Sequence, residues 1–465
     1  MQVRRSLAAA VGSAVGRSPL LFYLGGIALL TVLITGGLLT GIVATGKPNW
    51  ALAPIGILML LAASQLAGAL VNWLASLLVT PQPLPRMDCS AGIPPHARTL
   101  VVIPTLLAST SGVEDLIEAL EVRFLANRDD RLHFGLLTDF ADADEETLPD
   151  DEPLLRLAQL RIEALNQKYA PDADPARNDL FFLFHRPRRW NPQERRWMGY
   201  ERKRGKLADL NALLRGASWG GAQDSFSLVV GDAAVLRDVQ YVITLDTDTQ
   251  LPLDAARELV GAMAHPLNRP RYDSAKRRVV AGYGILQPRV AASLPGANRS
   301  RYARLFGGEA GIDPYTRAVS DAYQDLFGEG SFIGKGIYEV DAFEQALGGR
   351  FPDNRILSHD LLEGCYARAG LLSDVQLYED YPARYSADVN RRHRWIRGDW
   401  QLAGWLRRRV PGPQGRPRER NPLSALSQWK LLDNLRRSLV PAALTLLLLL
   451  GWALSSPAGF WTLAV

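Results

Sequence analysis

Residues 241–248 read YVITLDTD. An unbroken run, YVITL, leads straight into two aspartates, Asp246 and Asp248. A run without polar alternation predicts a strand buried on both faces, as in parallel sheets covered by helices. Working outward, TLVVIPTLL (99–107) has the same form, LHFGLLTD (132–139) ends on Asp139, and DLFFLFHR (179–186) reads as a further strand. Helical stripes lie between them. Leu116, Ile117, Leu120 and Phe124 follow a capping-box spacing at Ser111 and Glu114, and Leu154, Leu157, Ala158, Ile162 and Leu165 mark 153–169. Strand alternating with helix predicts an α/β fold with a doubly wound, Rossmann-like sheet. Ligands of such sheets bind beyond the carboxyl ends of the strands, where both acidic groups fall.

The ends have a different composition. Residues 20–46 and 51–79 carry no charge, and each exceeds the roughly 20 residues that span a bilayer. A third apolar stretch covers 438–454, and a fourth begins at 459 and stops with the chain at Val465, as expected of a fragment. Arg4, Arg5 and Arg17 precede the first span, only Lys47 lies between the first two, and a basic run from Arg407 to Arg437 precedes the third. The positive-inside tendency puts the N-terminus and the middle region on the cytosolic side of a multi-pass membrane protein. The same basic run suits contact with anionic membrane lipids. The expected organisation is a membrane region (1–80), a proline-rich linker (81–98), an α/β domain (99–390), interfacial amphipathic and basic helices (391–437), and a span with the start of another (438–465).

Several classes are excluded. Fifty-three basic residues against 48 acidic ones give a net charge of +5, too balanced for a nucleic-acid partner. Two cysteines, Cys89 and Cys365, make no disulfide framework, and the six histidines have no metal-ligand spacing. Cys365 and His359 read as packing residues.

The acids carry the chemistry. Asp246 and Asp248, two residues apart at a strand end, suit a hard divalent cation, Mg2+ or Mn2+, whose shell is completed by phosphate oxygens. Asp139 has two readings, a contact to the base or ribose of a nucleotide, or the N-cap of the next element. Lys206, after a turn at Gly205, can meet a diphosphate or lie on a solvated face. Asp360 in Ser358-His359-Asp360 opens a short helix expected to include Gly364 and Gly370; it can serve as a general base, as an N-cap, or as both. Arg394 and Trp395 lie in an amphipathic segment that reads as an interfacial helix, with Trp395 able to stack on a sugar and Arg394 to meet phosphate. GEGSFIGKG (328–336) is no Walker loop, because Gly330 and Gly334 are four apart and Gly336 follows Lys335.

In this order, Asp139, Lys206, Asp246/Asp248, Asp360 and Arg394/Trp395 resemble the motifs of family-2-type, GT-A fold processive glycosyltransferases. Ser358-His359-Asp360 departs from that family's T-E-D triplet, and Arg391 stands at the glutamine of its Q-x-x-R-W motif. Longer stretches, FHRPRRWNPQERRWMGYERKRGKLADLN, LFGEGSFIGKGIYEVDAF and RILSHDLLEGCYARAG, resemble the transferase core of the cyclic β-1,2-glucan synthases of bacteria, without their C-terminal phosphorylase-like region. The resemblance implies a GT-A sheet between transmembrane helices, in the bacterial inner membrane with the catalytic domain facing the cytosol. It implies an inverting UDP-glucose-dependent β-glucosyltransferase that extends a β-1,2-glucan chain. On this reading Asp246 and Asp248 hold the metal, and Asp139, Lys206 and Asp246 meet the donor. Asp360 is the base, Arg394 and Trp395 shape the acceptor entrance, and Tyr200, or else Tyr315, is a self-glucosylated primer. The competing readings are a linear β-glucan synthase of other linkage and a catalytically silent, membrane-anchored sugar-nucleotide binder.

Overall fold

A computed structural model of the chain describes residues 16–43, 49–81, 83–169, 179–216, 225–307, 321–413, 417–454, 459, 461 and 462. Its main elements, in chain order, are α1 (Pro19–Val43), α2 (Asn49–Leu78), β1 (Thr99–Leu107), α3 (Thr110–Ala126), β2 (Leu132–Phe140), α4 (Asp151–Tyr169), β3 (Phe181–Arg186), α5 (Arg202–Leu214), β4 (Leu228–Val230) and β5 (Tyr241–Thr244). They continue with α6 (Ala255–Ala264), β6 (Ile285–Ala292), β7 (Gly336–Glu339), α7 (Val340–Leu347), α8 (Asp360–Ala367), β8 (Ala369–Glu379), α9 (Tyr385–Gln401) and α10 (Ala425–Leu454).

The eight strands form one sheet in the order β8-β6-β7-β5-β1-β2-β3-β4. β1 is central, parallel to β2 from Thr99 opposite Leu132 to Leu107 opposite Phe140, and parallel to β5 from Thr99 opposite Tyr241 to Val102 opposite Thr244. Both faces are covered, which is why these strands read as continuous apolar runs. Val101 and Ile103 face α3, α4 and α6, while Leu100 and Val102 face the side of α5, α7 and α8, and all four are fully buried.

The sheet is mixed, not uniformly parallel. β7 runs antiparallel between β5 and β6, and β4 runs antiparallel at the far edge. β6, β7 and β8 give weak sequence signals for physical reasons. Pro288 interrupts β6 at a break in register against β8, a position where a strand tolerates proline, and β7 has only four residues. Two reversals within the sheet bring the carboxyl ends of β5, β6 and β8 to one edge, joined there by the loop that enters β7.

Other expectations need correction. α3 is capped by Ser109, which accepts from the Gly112 backbone N–H at 3.1 Å; Glu114, instead of closing a capping box with Ser111, pairs with Arg161 of α4 at 2.6 Å. Gly205 lies inside α5 and not in a turn before it, and Gly370 lies in β8 and not in the preceding helix.

Among the described residues, three helices are long and apolar enough to cross a membrane, over Pro19–Thr40, Leu52–Leu78 and Ala425–Ala453. α10 begins well before the apolar run expected at 438, so the last part of the charged stretch, Lys430 to Arg437, belongs to the same helix, while Arg407 to Arg420 precede it. Its charges are compensated in place. Lys430 donates to Glu329 Oε1 at 3.2 Å and to the Gly330 carbonyl at 2.6 Å, while Asp433 pairs with Arg436 and Arg437 at 2.7 and 3.2 Å. Leu426, Leu431 and Leu435 of that stretch are buried against the protein. The start of a fourth span lies outside the described residues except for Gly459, Trp461 and Thr462.

Candidate active site at the carboxyl edge of the sheet

A cavity of about 620 Å³ opens where the strand ends meet α9 and α10, reaching from Asp246 and Asp360 to Ser438 and Pro441. Asp246 and Asp248 sit in the turn that follows β5. Arg123 of α3, itself buried, donates to the Thr247 carbonyl at 2.8 Å and the Thr249 carbonyl at 2.7 Å and so pins that turn from below. Glu379, the last residue of β8, completes an acidic group: carboxylate oxygens of Asp246, Asp248 and Glu379 lie within 4.8 Å of one another.

Two lysines answer this charge. Lys203 Nζ lies 2.6 Å from Asp246 Oδ1 and 2.8 Å from the Gly334 carbonyl, and Lys335 Nζ lies 3.3 Å from Asp246 Oδ2 and also pairs with Glu379. Burial works against the Asp246 anion, but the two ammonium groups outweigh it and hold the carboxyl well below its usual range. Loss of water, then Glu379 and Asp246, push the Asp248 carboxyl up. An oxygen-only, incomplete donor set open to a cavity fits a cation of the magnesium or manganese type. Asp246, Asp248 and Glu379 are the residues that would hold it.

Asp360 is the first residue of α8, not its cap, and its side chain faces the same cavity. Glycines make room for it. A Cβ at Gly334, where φ is +90°, would meet Asp360 Oδ1 at 2.9 Å, and a Cβ at Gly398 of α9 would meet Ser358 Cβ at 2.4 Å. The Leu357 N–H also donates to Gln401 Oε1 at 2.8 Å, so α9 docks directly onto the loop that carries Asp360. His359 is buried and does more than pack. Its Nδ1 lies 3.4 Å from Asp360 Oδ1 and 2.9 Å from Glu363 Oε1, a convergence that the spacing of the histidines in the sequence does not announce.

The remaining candidates divide. Trp395 lines the cavity, with the Arg391 guanidinium 4.7 Å from its ring centroid, whereas Arg394 is exposed and does not line it. Asp139 is 2% exposed, and its oxygens take the Arg186 guanidinium at 2.9 and 3.0 Å and Lys206 at 3.3 Å. Neither Asp139 nor Lys206 lines the cavity. An N-cap role for Asp139 is excluded, because it lies within β2 and α4 begins only at Asp151. A Cβ at Gly199 would come within 2.0 Å of the Asp139 carboxylate, so the chain passes over this ion pair at a glycine. Burial pushes the Lys206 ammonium down to about 8 despite Asp139, and Lys206 also donates to the Thr105 carbonyl. The lysine that reaches the cavity is Lys203, three residues earlier on α5. The Tyr200 hydroxyl bonds to Asp353, and the residue lies off the cavity, so nothing in the geometry favours it as an acceptor. Tyr315 lies outside the described residues. Cys89 and Cys365 are both buried and unbridged.

Glu379, Lys203, Lys335, His359 and Glu363 are the site residues that sequence reasoning passed over. The only usable signal was the lysine in a glycine-rich loop (Gly334-Lys335-Gly336), set aside because its spacing is not that of a phosphate loop.

No family model matches the chain. Over 412 residues, 88% of this chain, it is 46% identical to cyclic beta-(1,2)-glucan synthase NdvB of Rhizobium meliloti (strain 1021). The matched part is 14% of that relative's length, so the chain spans a small share of the protein it resembles. With this identity along nearly its whole length, on an α/β sheet flanked by membrane-type helices, the chain is related to the cyclic β-(1,2)-glucan synthases.

Proposed function

We propose that the chain is a membrane-embedded, inverting glucosyltransferase that adds glucose from UDP-glucose to a growing β-1,2-glucan. One observation carries this reading: Asp246 and Glu379 of a metal-type carboxylate group, two lysines, the half-buried Asp360 and a tryptophan share one cavity between the sheet edge and a membrane-type helix. The lysines Lys203 and Lys335 suit the diphosphate of a sugar nucleotide, and a divalent cation on Asp246, Asp248 and Glu379 would neutralise charge on the departing diphosphate. Asp360 takes the proton of the acceptor hydroxyl as its oxygen bonds to the anomeric carbon. The bond from that carbon to the diphosphate breaks, and UDP leaves with the electron pair. A single displacement needs one base and inverts the centre. Burial raises the Asp360 carboxyl despite the charges of His359 and Lys203, which strengthens it as a base once ionised. Trp395 offers an aromatic face to the acceptor sugar at the side of the cavity formed by α9 and α10. The basic residues that flank the helices support a sheet on the cytosolic side of a bacterial inner membrane, in contact with anionic lipid.

The test uses detergent-solubilised chain, radiolabelled UDP-glucose and Mg2+ or Mn2+, with the product digested by linkage-specific glucanases. Product sensitive to a β-1,2-glucanase, lost in Asp360→Asn while UDP-glucose still binds, is the expected result. Product of another linkage would overturn the linkage. Binding without any transfer would leave a silent sugar-nucleotide binder.

A further inference from the structure

The imidazole beside the base is not accounted for by the reaction as drawn. His359, Asp360 and Glu363 share the start of α8, with His359 6% and Glu363 2% exposed. One imidazole nitrogen, Nδ1, faces two carboxylates, at 2.9 Å from Glu363 and 3.4 Å from Asp360. Yet His359 Nδ1, Asp360 Oδ1 and Glu363 Oε2 each lack an aligned hydrogen-bond partner among the described residues. His359 Nδ1 is still in ion-pair contact with Glu363, but a buried carboxylate oxygen left without a partner costs on the order of 1–3 kcal/mol, and a merely structural triad would be expected to close Asp360 Oδ1 and Glu363 Oε2. Groups whose hydrogen bonds tighten only with substrate in place have this loose, near-contact arrangement.

We propose that His359, gripped from behind by Glu363, is a positioning residue that orients the Asp360 carboxylate and keeps it ionised until it takes the acceptor proton. The inference rests on the glucosyltransferase reading above and deepens it. Two carboxylates this close repel, so the pair needs a cation between them, and a protonated imidazole supplies one. The other charged groups facing the cluster are Lys203 of α5 and Asp246 beyond β5. Lys203 is already engaged by Asp246 and Gly334, so His359 is the cation in contact with Asp360. For His359 the direction agrees: burial opposes the imidazolium, but Glu363 and Asp360 outweigh it and raise His359; for Asp360 burial still raises the carboxyl, and His359 is the largest charge opposing that rise. Asp360 proceeds as before, accepting the hydroxyl proton, while His359 exchanges none.

The test has two readouts on the full chain. In pH profiles of UDP release, His359→Gln should move the acid limb upward by about one unit, because Asp360 loses the cation in contact with it and keeps the repulsion of Glu363. UDP-glucose affinity should stay within about twofold, since the donor-side groups are on other elements, and at the wild-type acid midpoint the variant should keep roughly a tenth of its rate. Independently of turnover, NMR of 15N-histidine-labelled protein should show His359 protonated above the ordinary midpoint of about 6.5, and Glu363→Gln should lower that midpoint by at least about one unit. Should His359→Gln not fold, Glu363→Gln carries the test. An acid limb unmoved in a variant that still transfers, or a His359 midpoint unmoved by Glu363→Gln, overturns the role of His359 and leaves the transferase reading intact. A wild-type chain that binds UDP-glucose but never transfers overturns the transferase reading, and with it the role assigned to His359.

Discussion

Gly398→Ala is the sharpest perturbation of the base loop that leaves every charged group in place. Gly398 is buried in α9, and an added Cβ would stand 2.4 Å from Ser358 Cβ, 3.0 Å from the Ser358 nitrogen and 3.2 Å from its Cα. Ordinary contact begins at 3.4 Å, and the nearest clash is with a rigid Cβ, not the end of a flexible side chain, so the loop must retreat by about 1 Å. Ser358 is two residues from Asp360, and that retreat carries the base with it. A misplacement of about 1 Å in a reacting group costs on the order of 10²-fold in rate. Stability should change much less. Overpacking costs about 1–3 kcal/mol, while alanine in a helix interior regains roughly 1 kcal/mol over glycine. The prediction is therefore a fall of about a hundredfold in kcat for UDP release, with UDP-glucose affinity by calorimetry and the thermal midpoint nearly unchanged. Ser358→Gly in the same chain removes the opposing Cβ and should restore most of the rate, giving a double-mutant cycle with strong coupling. Wild-type kcat in Gly398→Ala, or no rescue by Ser358→Gly, would refute the docking of α9 on the base loop.

Other substitutions probe the rest of the site. Asp139→Asn should destabilise the fold by about 3–5 kcal/mol by leaving the Lys206 ammonium buried without its counter-charge and Arg186 with Asp209 alone; a drop in UDP-glucose affinity at constant thermal midpoint would instead restore Asp139 to the donor site. Glu379→Gln should weaken Mn2+ binding, read by electron paramagnetic resonance, at least about tenfold, and unchanged affinity would limit the ligands to Asp246 and Asp248. Tyr200→Phe should leave any self-labelling intact, since its hydroxyl is held by Asp353 off the cavity; loss of label would make it the primer. Burial lowers both His133 and His185 to about 4. The unfolded chain takes up these protons near pH 6.5 and the folded chain only near 4, so stability holds above pH 6.5 and falls toward pH 4. By pH 5 the loss is roughly 2 kcal/mol per histidine, seen as a lower thermal midpoint than at pH 7.5, and a flat midpoint across that range would contradict their burial.

The half of the sheet built from β1, β2, β3 and β5 is legible in the sequence because burial on both faces leaves uninterrupted apolar runs. The other half is not. β6 contains Pro288, β7 takes its place through pairing with β5, and β8 mixes Ser373, Asp374 and Gln376 into its length, so none has a clear period of its own. The site divides along the same line. Asp246, Asp248 and Asp360 stand out as acids beside apolar runs. Glu379 and Lys335 reach them only through the two strand reversals, a property of pairing that no local pattern encodes. Asp139 misleads for the opposite reason: a strand-end acid looks available until Arg186, far along the chain, is seen to take both of its oxygens.

α10 has a mechanical side. It is one continuous helix of 30 residues, about 45 Å long, that forms part of the cavity wall at Asn434, Arg437, Ser438 and Pro441, the proline lying inside the helix, and continues beyond it as an apolar segment. The turns from Lys430 to Pro441 transmit angle. A change of about 5° in their tilt, well within what a mismatch in bilayer thickness imposes, moves Pro441, about 16 Å along, by about 1.4 Å. With Lys430, anchored to Glu329 and Gly330, as fulcrum, a change in bilayer thickness is expected to alter the width of the passage beside Trp395.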